Sequence, residues 1–137
     1  MINTSRYFLE LKSSADIKQK RITMIVIYHN PRCTKSREGL EILKNSGKDF
    51  KIREYLKDPL SEDELTVLLK KLQLSPLQLI RKNESVWKDE FKSLNLNDRD
   101  LIGIMAKNPK LIERPIVENE NNAVIGRPPS NIDLLLK

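Results

Sequence analysis

The only cysteine of the chain, Cys33, is the strongest nucleophile that the sequence offers. The 137 residues contain one Cys and one His. Cys33 follows a loop and precedes a segment with helical spacing, so it would lie at a helix start, where unpaired N–H groups and the helix dipole favour the thiolate. Arg32, Lys35 and Arg37 would bring positive charge to the same place. We therefore expect a nucleophilic thiolate here rather than the buried, inert thiol that is the alternative.

The neighbours of this thiol limit its chemistry. Ser36 stands where a C-x-x-C motif would carry its second cysteine, so an oxidised Cys33 has to be resolved by a thiol from another molecule. His29 is a candidate to orient the loop, to pair with the thiolate or to transfer a proton, although a simple hydrogen-bonding role is an equal alternative. One Cys and one His cannot complete a zinc site within one chain, and we predict no metal.

Three further arginines stand in contexts that restrict the backbone. Arg81 follows an apolar helix face, Arg114 precedes Pro115, and Arg127 precedes Pro128. Each could be an ordinary solvated residue. Together, two Arg-Pro pairs on neighbouring strands could direct two guanidinium groups at one oxyanion, a geometry for which Arg is preferred over Lys. Pro115, at a predicted strand start, is a candidate for a cis peptide bond.

The first half of the predicted domain reads strand, helix, strand. Residues 24–28 are short, apolar and β-branched, as in a strand that is buried on both faces. Residues 34–45 have the pattern of a helix that Gly47 ends, and residues 50–55 contain several strand formers. We expect a right-handed crossover, which would make the two strands parallel partners.

A helical block, residues 57 to about 110, comes next in the predicted order. Ser61 begins its first helix with a capping box, and leucines recur there on one face. A second helix is predicted to begin at Ser75 and to lead into residues 79–82. A third covers residues 97–107 and stops before a proline.

The end of the chain predicts a hairpin and a helix. Residues 114–118 and 123–125 read as antiparallel strands, and Ser130 with Asp133 would cap a last amphipathic helix. The complete order is β-α-β, a helical block, then β-β-α. We therefore predict an α/β protein with a thioredoxin-like fold, in which a mixed four-stranded sheet carries an inserted all-helical subdomain.

Residues 1–23 differ in pattern from the rest of the chain, and we interpret them as an N-terminal extension to a domain of residues 24–137. They carry five Lys/Arg against two Asp/Glu and show no clear apolar period. They also lack the apolar stretch of a secretory signal. An upstream mis-start and a short amphipathic helix remain alternative explanations.

The composition argues against several classes of protein. The net charge is +6, but basic and acidic residues are interleaved as on a solvated surface, so we predict no direct nucleic-acid binding. The longest apolar run is far shorter than the roughly 20 residues of a membrane span, and we expect a soluble protein. An unpaired thiol favours the cytoplasm. No Gly-rich phosphate loop is present, and we predict no bound cofactor.

Four motif blocks closely resemble the glutaredoxin-coupled arsenate reductase family, also called the ArsC/Spx-like family. They are Tyr28-His-Asn-Pro-Arg-Cys-Thr-Lys-Ser-Arg37, Leu79-Ile-Arg-Lys-Asn83, Leu111-Ile-Glu-Arg-Pro-Ile-Val117 and Ile125-Gly-Arg-Pro128. The likeness covers residues 24–137 in order. It implies that Cys33 attacks arsenate and that three arginines hold the oxyanion and the covalent adduct, namely Arg81, Arg114 and Arg127.

The resemblance also implies roles for residues near the thiol. His29 matches the family's histidine and Pro115 its cis proline, while three further residues of the first motif, Asn30, Thr34 and Ser36, would be structural parts of the site. In the implied reaction glutathione, a co-substrate, attacks the cysteine-arsenic adduct. Glutaredoxin then removes glutathione from the resulting mixed disulfide, which restores the thiol and completes the release of arsenite.

Two alternative functions fit the same family resemblance. One is an Spx-type regulator that binds the RNA polymerase α subunit and commonly senses oxidants through C-x-x-C; Ser36 opposes the sensing role, and Arg81 with its surroundings favours the reductase. The other is a glutathione-dependent thiol reductase that uses Cys33 on a different substrate.

Overall fold

The structure, a computed structural model, describes residues 24–137, so the predicted extension of residues 1–23 lies outside the described residues. The elements run in this order: strand β1 (Ile25–Tyr28), helix α1 (Thr34–Asn45), β2 (Phe50–Arg53), α2 (Glu62–Leu72), α3 (Pro76–Leu79), a π-helical turn (Trp87–Phe91), α4 (Asp98–Lys107), a 3-10 turn (Pro109–Leu111), β3 (Ile116–Glu118), β4 (Ala123–Ile125) and α5 (Asn131–Leu135).

The four strands form one mixed sheet in the order β2-β1-β3-β4. β1 pairs with β2 in parallel, as the crossover predicts, and with β3 in antiparallel orientation. β3 and β4 form the predicted antiparallel hairpin. Tyr28, the last residue of β1, lies between Arg53 and Ile116 in this register. The predicted α/β class and the mixed four-stranded sheet are therefore confirmed, and the chain leaves β1 directly into the loop that carries the thiol.

The two central strands, β1 and β3, carry buried residues on both faces of the sheet, since successive strand residues point to opposite sides. Ile27 and Val117 belong to a cluster with residues of α1 and α5. Their neighbours Tyr28 and Ile116 belong to the larger cluster, whose other members come mainly from the helical block. This explains why residues 24–28 are apolar at consecutive positions.

The capping box predicted at Ser61 is confirmed. Ser61 Oγ accepts the Glu64 N–H at 3.1 Å and Glu64 Oε1 accepts the Ser61 N–H at 2.9 Å, which completes the capping box of α2. Asn97 and Asp100 make the same reciprocal pair at α4. Gly47, with φ 76°, lies one residue beyond the C-cap of α1. Within residues 24–137 no helix has the length and apolar character to cross a membrane.

The structure corrects the prediction that the second helix of the block leads into residues 79–82. α3 ends at Leu79, and Ile80 is extended and pairs with Ile112 in an isolated antiparallel bridge. The Arg81 N–H donates to Leu111 O at 2.7 Å, and the Glu113 N–H donates to Leu79 O at 2.9 Å. These long-range hydrogen bonds replace the helical ones. They join segments that are distant in sequence, so the local pattern could not predict them.

Smaller differences lie at element ends. The strand predicted for residues 50–55 ends at Arg53, and the strand predicted from residue 114 begins at Ile116. The Ser130 side chain makes no capping hydrogen bond. The π-helical turn at Trp87–Phe91 had no counterpart in the prediction.

Candidate active site

Cys33 is the N-cap residue of α1 and is largely buried, with 9% of its surface exposed. Its N–H donates to Asn30 O at 3.0 Å, which closes the loop after β1. The first main-chain hydrogen bond of the helix runs from the Arg37 N–H to Cys33 O at 3.0 Å. The N–H groups of the intervening residues, 34–36, therefore have no carbonyl partner within the helix. The sulfur atom lies at the positive end of α1.

The cation beside the sulfur is Arg127, which is distant in sequence. Arg127 Nη2 lies 3.7 Å from Cys33 Sγ, and Arg127 Nε donates to Arg114 O at 2.8 Å. The second bond ties the guanidinium to the segment before β3 that carries Arg114 and so fixes its direction. By contrast, Arg37 donates to Pro31 O and to Thr34 Oγ1. It braces the loop, whereas the cation in contact with the thiol comes from the other end of the domain.

His29 is buried and is bonded to Ser36 rather than to the thiol. His29 Nδ1 and Ser36 Oγ are 2.8 Å apart, and Ser36 Oγ also accepts the Asn30 N–H at 2.9 Å. Since Ser36 already accepts that proton, its own hydroxyl can donate to Nδ1 of a neutral imidazole. Burial lowers the pKa of His29, which favours the same neutral form. Ser36 in α1 thus fixes His29 and Asn30, so the loop that leads to Cys33 is tied to the helix that follows it.

Arg114 carries buried donors that lack partners. Within the described residues, Nε and Nη1 of this side chain are buried and make no hydrogen bond. An unpaired guanidinium is costly to bury, so protein structures normally pair it with an acceptor. Arg114 immediately precedes the cis peptide bond to Pro115. Its side chain can therefore offer two directed donors to an anion.

Arg81 differs from the other two arginines because carboxylates already bind it. Arg81 Nη1 donates to Glu84 Oε2, and Arg81 Nε lies 3.9 Å from Glu113 Oε1. The sequence gives little indication of these ion pairs, since Glu84 and Glu113 resemble ordinary surface residues. The isolated bridge between Ile80 and Ile112 brings the two segments together.

Tyr55, two residues after β2, is a buried tyrosine of the larger core cluster. It is 2% exposed, and burial raises its pKa to about 12. Arg81 opposes that rise in the pKa of Tyr55, whereas Cys33 and Glu113 add to it. A tyrosine just after a strand is typical of a protein core, and Tyr55 lies in the core here.

Pro115 supports the site through close packing. An added Cβ at Gly126 would lie 2.9 Å from Pro115 Cγ, and one at Gly39 would lie 3.1 Å from the same atom. The proline ring therefore lies against the backbone of α1 and of the segment that carries Arg127. The Arg114–Pro115 peptide bond is cis, as expected, and so is the Arg127–Pro128 bond, which the prediction did not include.

A separate cavity of about 340 Å³ contains none of the predicted site residues. It lies where β1, α2 and the end of β3 meet, and Tyr28, Lys71 and Glu118 line it. Its polar groups satisfy one another, because Tyr28 Oη donates to Glu118 Oε1 at 2.5 Å and Lys71 Nζ donates to Glu118 Oε2 at 2.7 Å. Within residues 24–137, the buried side-chain donors that lack partners belong to Arg114, so the thiol end of the sheet is the candidate active site.

A family model and several known proteins match this chain. A family model described as the ArsC family matches residues 28–135. The chain is 43% identical over 110 residues to an uncharacterized protein, YfgD, of Escherichia coli strain K12, covering 79% of this chain and 92% of that protein. It is 39% identical over 110 residues to an arsenate reductase of Haemophilus influenzae, covering 79% and 95%.

A solved structure, that of an arsenate reductase from Vibrio cholerae, has the same fold. It superimposes with a TM-score of 0.78 at 39% sequence identity and covers 85% of this chain and 99% of that one. The segments that form the candidate site all lie within the part of the chain that the family model matches.

Proposed function

The chain belongs to the ArsC family, and on that basis we propose that it is an arsenate reductase-like thiol oxidoreductase with Cys33 as its nucleophile. One observation carries the proposal. Arg127 Nη2 lies 3.7 Å from the sulfur, while two buried nitrogens of Arg114, on the segment to which Arg127 is bonded, lack partners within residues 24–137. A thiol beside guanidinium donors without acceptors suits a substrate that is an oxyanion.

The first chemical step joins the thiolate to the oxyanion. The Cys33 thiolate forms a sulfur-arsenic bond, and one arsenate oxygen leaves as water after it takes up protons. The guanidinium groups of Arg114 and Arg127 balance the negative charge of the oxyanion as it approaches a negative sulfur. The N-cap position of Cys33 on α1 stabilises the attacking thiolate in the same way.

The second step reduces arsenic and needs a thiol from outside the protein. The glutathione thiolate attacks Cys33 Sγ, the sulfur-arsenic bond breaks, and its electron pair stays on arsenic, which leaves as trivalent arsenite. Cys33 is then joined to glutathione in a mixed disulfide. A glutaredoxin thiol attacks the glutathione sulfur and releases Cys33 as a thiolate. Because Cys33 is the only cysteine of the chain, no internal thiol can replace these partners.

A coupled assay tests the proposal directly. Purified protein is mixed with arsenate, glutathione, glutaredoxin, glutathione reductase and NADPH, and NADPH oxidation is followed by absorbance. We expect oxidation that depends on arsenate and on this protein, and its loss in Cys33→Ser. Thr66→Ser, at an exposed position of α2 outside the site, is the control and should stay active. Absence of arsenate-dependent oxidation by the unaltered protein would refute the proposed activity.

A further inference from the structure

Ser36, the third residue of α1, makes two hydrogen bonds that the proposed reaction does not use. Its Oγ accepts the Asn30 N–H at 2.9 Å and lies 2.8 Å from His29 Nδ1. Ser36 is 0% exposed and His29 is 5% exposed. Because bulk water has so little access to either side chain, each of their polar atoms depends on the partners that the protein supplies.

The number of hydrogens fixes the direction of the bond between Ser36 and His29. A serine hydroxyl has one proton to donate. Within the described residues, the acceptor within its reach is His29 Nδ1, since the other partner of Oγ is the Asn30 N–H, which is itself a donor. A proton on Nδ1 would direct two donors at Oγ and leave the buried hydroxyl proton without an acceptor, which is costly. The hydroxyl therefore donates to Nδ1, and the neutral imidazole carries its proton on Nε2.

This tautomer limits what His29 can do for the thiol. A general base needs a nitrogen with a free lone pair. The lone pair of Nδ1 is taken by the Ser36 hydroxyl, and Nε2 already holds a proton. Burial lowers the pKa of His29, so the ring is neutral at and above neutral pH. His29 can therefore donate a hydrogen bond through Nε2, but it cannot take the proton of Cys33.

The other hydrogen bond of Ser36 reaches the thiol segment through Asn30. Asn30 O accepts the Cys33 N–H at 3.0 Å, and Asn30 Oδ1 accepts the Arg32 N–H at 3.0 Å. Asn30 is thus held at its own N–H by α1, and it holds the two residues at the start of that helix. The Ser36 hydroxyl closes this ring of contacts, which fixes the place of Cys33.

We propose that Ser36 is a positioning residue, whose one hydroxyl keeps the proton of His29 on Nε2 and keeps Asn30 in place to hold Cys33. The inference rests on the proposed function, because it takes Cys33 as the nucleophile. It assigns His29 to holding the loop rather than to proton transfer. The groups that stabilise the thiolate are then the start of α1 and Arg127, which lies 3.7 Å from the sulfur.

Nuclear magnetic resonance of the imidazole ring tests the tautomer. His29 is the only histidine of the sequence, so isotope-labelled protein gives one pair of ring nitrogen signals. At neutral pH we expect a proton on Nε2 and none on Nδ1, both before and after iodoacetamide blocks Cys33. A proton on Nδ1, alone or together with Nε2, overturns the inference. A ring that loses a proton when Cys33 is blocked also overturns it, because His29 would then be paired with the thiolate.

Ser36→Ala tests the positioning. The amide protons of Asn30 and Cys33 should exchange with solvent about tenfold faster, because one hydrogen bond that holds the loop is lost, while the amides of α2 keep their rates. The Nδ1 signal should move toward that of a nitrogen without a hydrogen bond. Ser93→Ala, at an exposed position between the π-helical turn and α4, is the matched control and should leave all of these unchanged. Unchanged exchange at Asn30 and Cys33 in Ser36→Ala contradicts the proposal, and so does equally faster exchange throughout the protein.

The coupled assay shows whether the position of the loop matters for the reaction. In Ser36→Ala, kcat should fall about tenfold and KM for arsenate should change by less than about threefold, because the guanidinium groups of Arg114 and Arg127 are unaltered. An unchanged kcat together with faster exchange at Cys33 would show that the reaction does not need this positioning, and the inference would be wrong.

The ring spectrum and the amide exchange need no arsenate, so they are independent of the proposed activity. Active turnover together with a proton on His29 Nδ1 would refute this inference and leave the activity intact. If the coupled assay fails, a proton on Nε2 and faster exchange at Cys33 in Ser36→Ala would still support the role of Ser36 while the proposed activity is refuted.

Discussion

At the residue scale, Arg114 carries buried hydrogen-bond donors that the folded protein leaves without acceptors among the described residues. Nε and Nη1 are buried without partners among the described residues, and such a group destabilises the fold until an acceptor arrives. Neighbouring Arg127 differs, because a carbonyl oxygen and a sulfur atom already accept its donors. Of these two arginines, Arg114 is therefore the one that gains more hydrogen bonds when an anion binds.

Replacement of Arg114 should therefore separate stability from activity. Arg114→Met should raise the free energy of unfolding by about 1–3 kcal/mol, because it removes buried unpaired donors. It should lower kcat/KM for arsenate at least tenfold, about 1.4 kcal/mol of transition-state binding. Urea unfolding and the coupled assay measure the two effects. The exposed Arg99 provides the control, since Arg99→Met should change neither quantity. A less stable Arg114→Met protein would show that the guanidinium is satisfied in the folded state.

His29 should make the stability of the protein depend on pH. Burial lowers the pKa of His29 in the folded protein, so between that pKa and the unfolded value of about 6.5 only the unfolded chain binds the proton. Stability from the neutral imidazole is complete above about pH 6.5 and decreases as the pH falls toward the folded pKa. The slope is at most about 1.4 kcal/mol per pH unit for one proton.

Urea unfolding of the unaltered protein and of His29→Gln, from pH 7.5 to pH 5.5, measures this slope. His29 is the only histidine of the sequence, so the variant should lose most of the pH dependence in this window. Glu64 is a useful comparison, because its hydrogen bond to Arg53 lowers the pKa of its carboxyl. It therefore affects stability only at more acidic pH. Equal slopes in the two proteins would contradict the prediction.

At the element scale, close packing around Pro115 aligns the pieces of the site. The ring touches α1 at Gly39 and the segment before Arg127 at Gly126. Both positions need glycine because an added Cβ would meet the proline ring within about 3 Å. The segment of Arg114 before β3, helix α1 behind Cys33 and the segment of Arg127 therefore meet at the Pro115 ring.

Gly126→Ala should destabilise the protein by about 1–3 kcal/mol, because its Cβ would lie 2.9 Å from Pro115 Cγ and 3.0 Å from Ile132 Cδ1. Gly103→Ala is the matched control. A Cβ there would meet only Glu62, at 3.6 Å, and alanine in helix α4 should add up to about 1 kcal/mol. Thermal unfolding measures both. Equal midpoints for the two variants would show that the contact at Pro115 is not tight.

Elements that depend on nearby residues could be predicted from the sequence, whereas elements that depend on long-range contacts could not. The bounds of α1 and the capping box of Ser61 depend on residues within one or two turns, so the sequence predicted both. The bridge between Ile80 and Ile112 is long-range and overrode a helical pattern. The same holds for the site. The motif around Cys33 was recognisable, whereas the pairing of Arg81 with Glu84 and Glu113 depends on how segments meet in three dimensions.

At the scale of the whole molecule, the helical block and the sheet share one core. Tyr28 and Ile116 of the sheet lie in the same buried cluster as Leu65 of α2 and Trp87 of the π-helical turn. If the helical block folded alone, its buried apolar residues would pack only against one another. Here they also pack against residues of the sheet, so we expect the block and the sheet to unfold together.

Leu65→Ala tests this shared core. Leu65 is fully buried, and the truncation should cost about 2–5 kcal/mol. Val67→Ala on the same helix is the control; Val67 is 54% exposed, and its truncation should change stability by less than about 0.5 kcal/mol. Trp87 fluorescence follows the block in urea, since it is the only tryptophan, and amide exchange of β1 follows the sheet. Both probes should give one midpoint, lowered equally by Leu65→Ala. If the Trp87 transition moves while β1 keeps its protection, the helical block unfolds independently of the sheet.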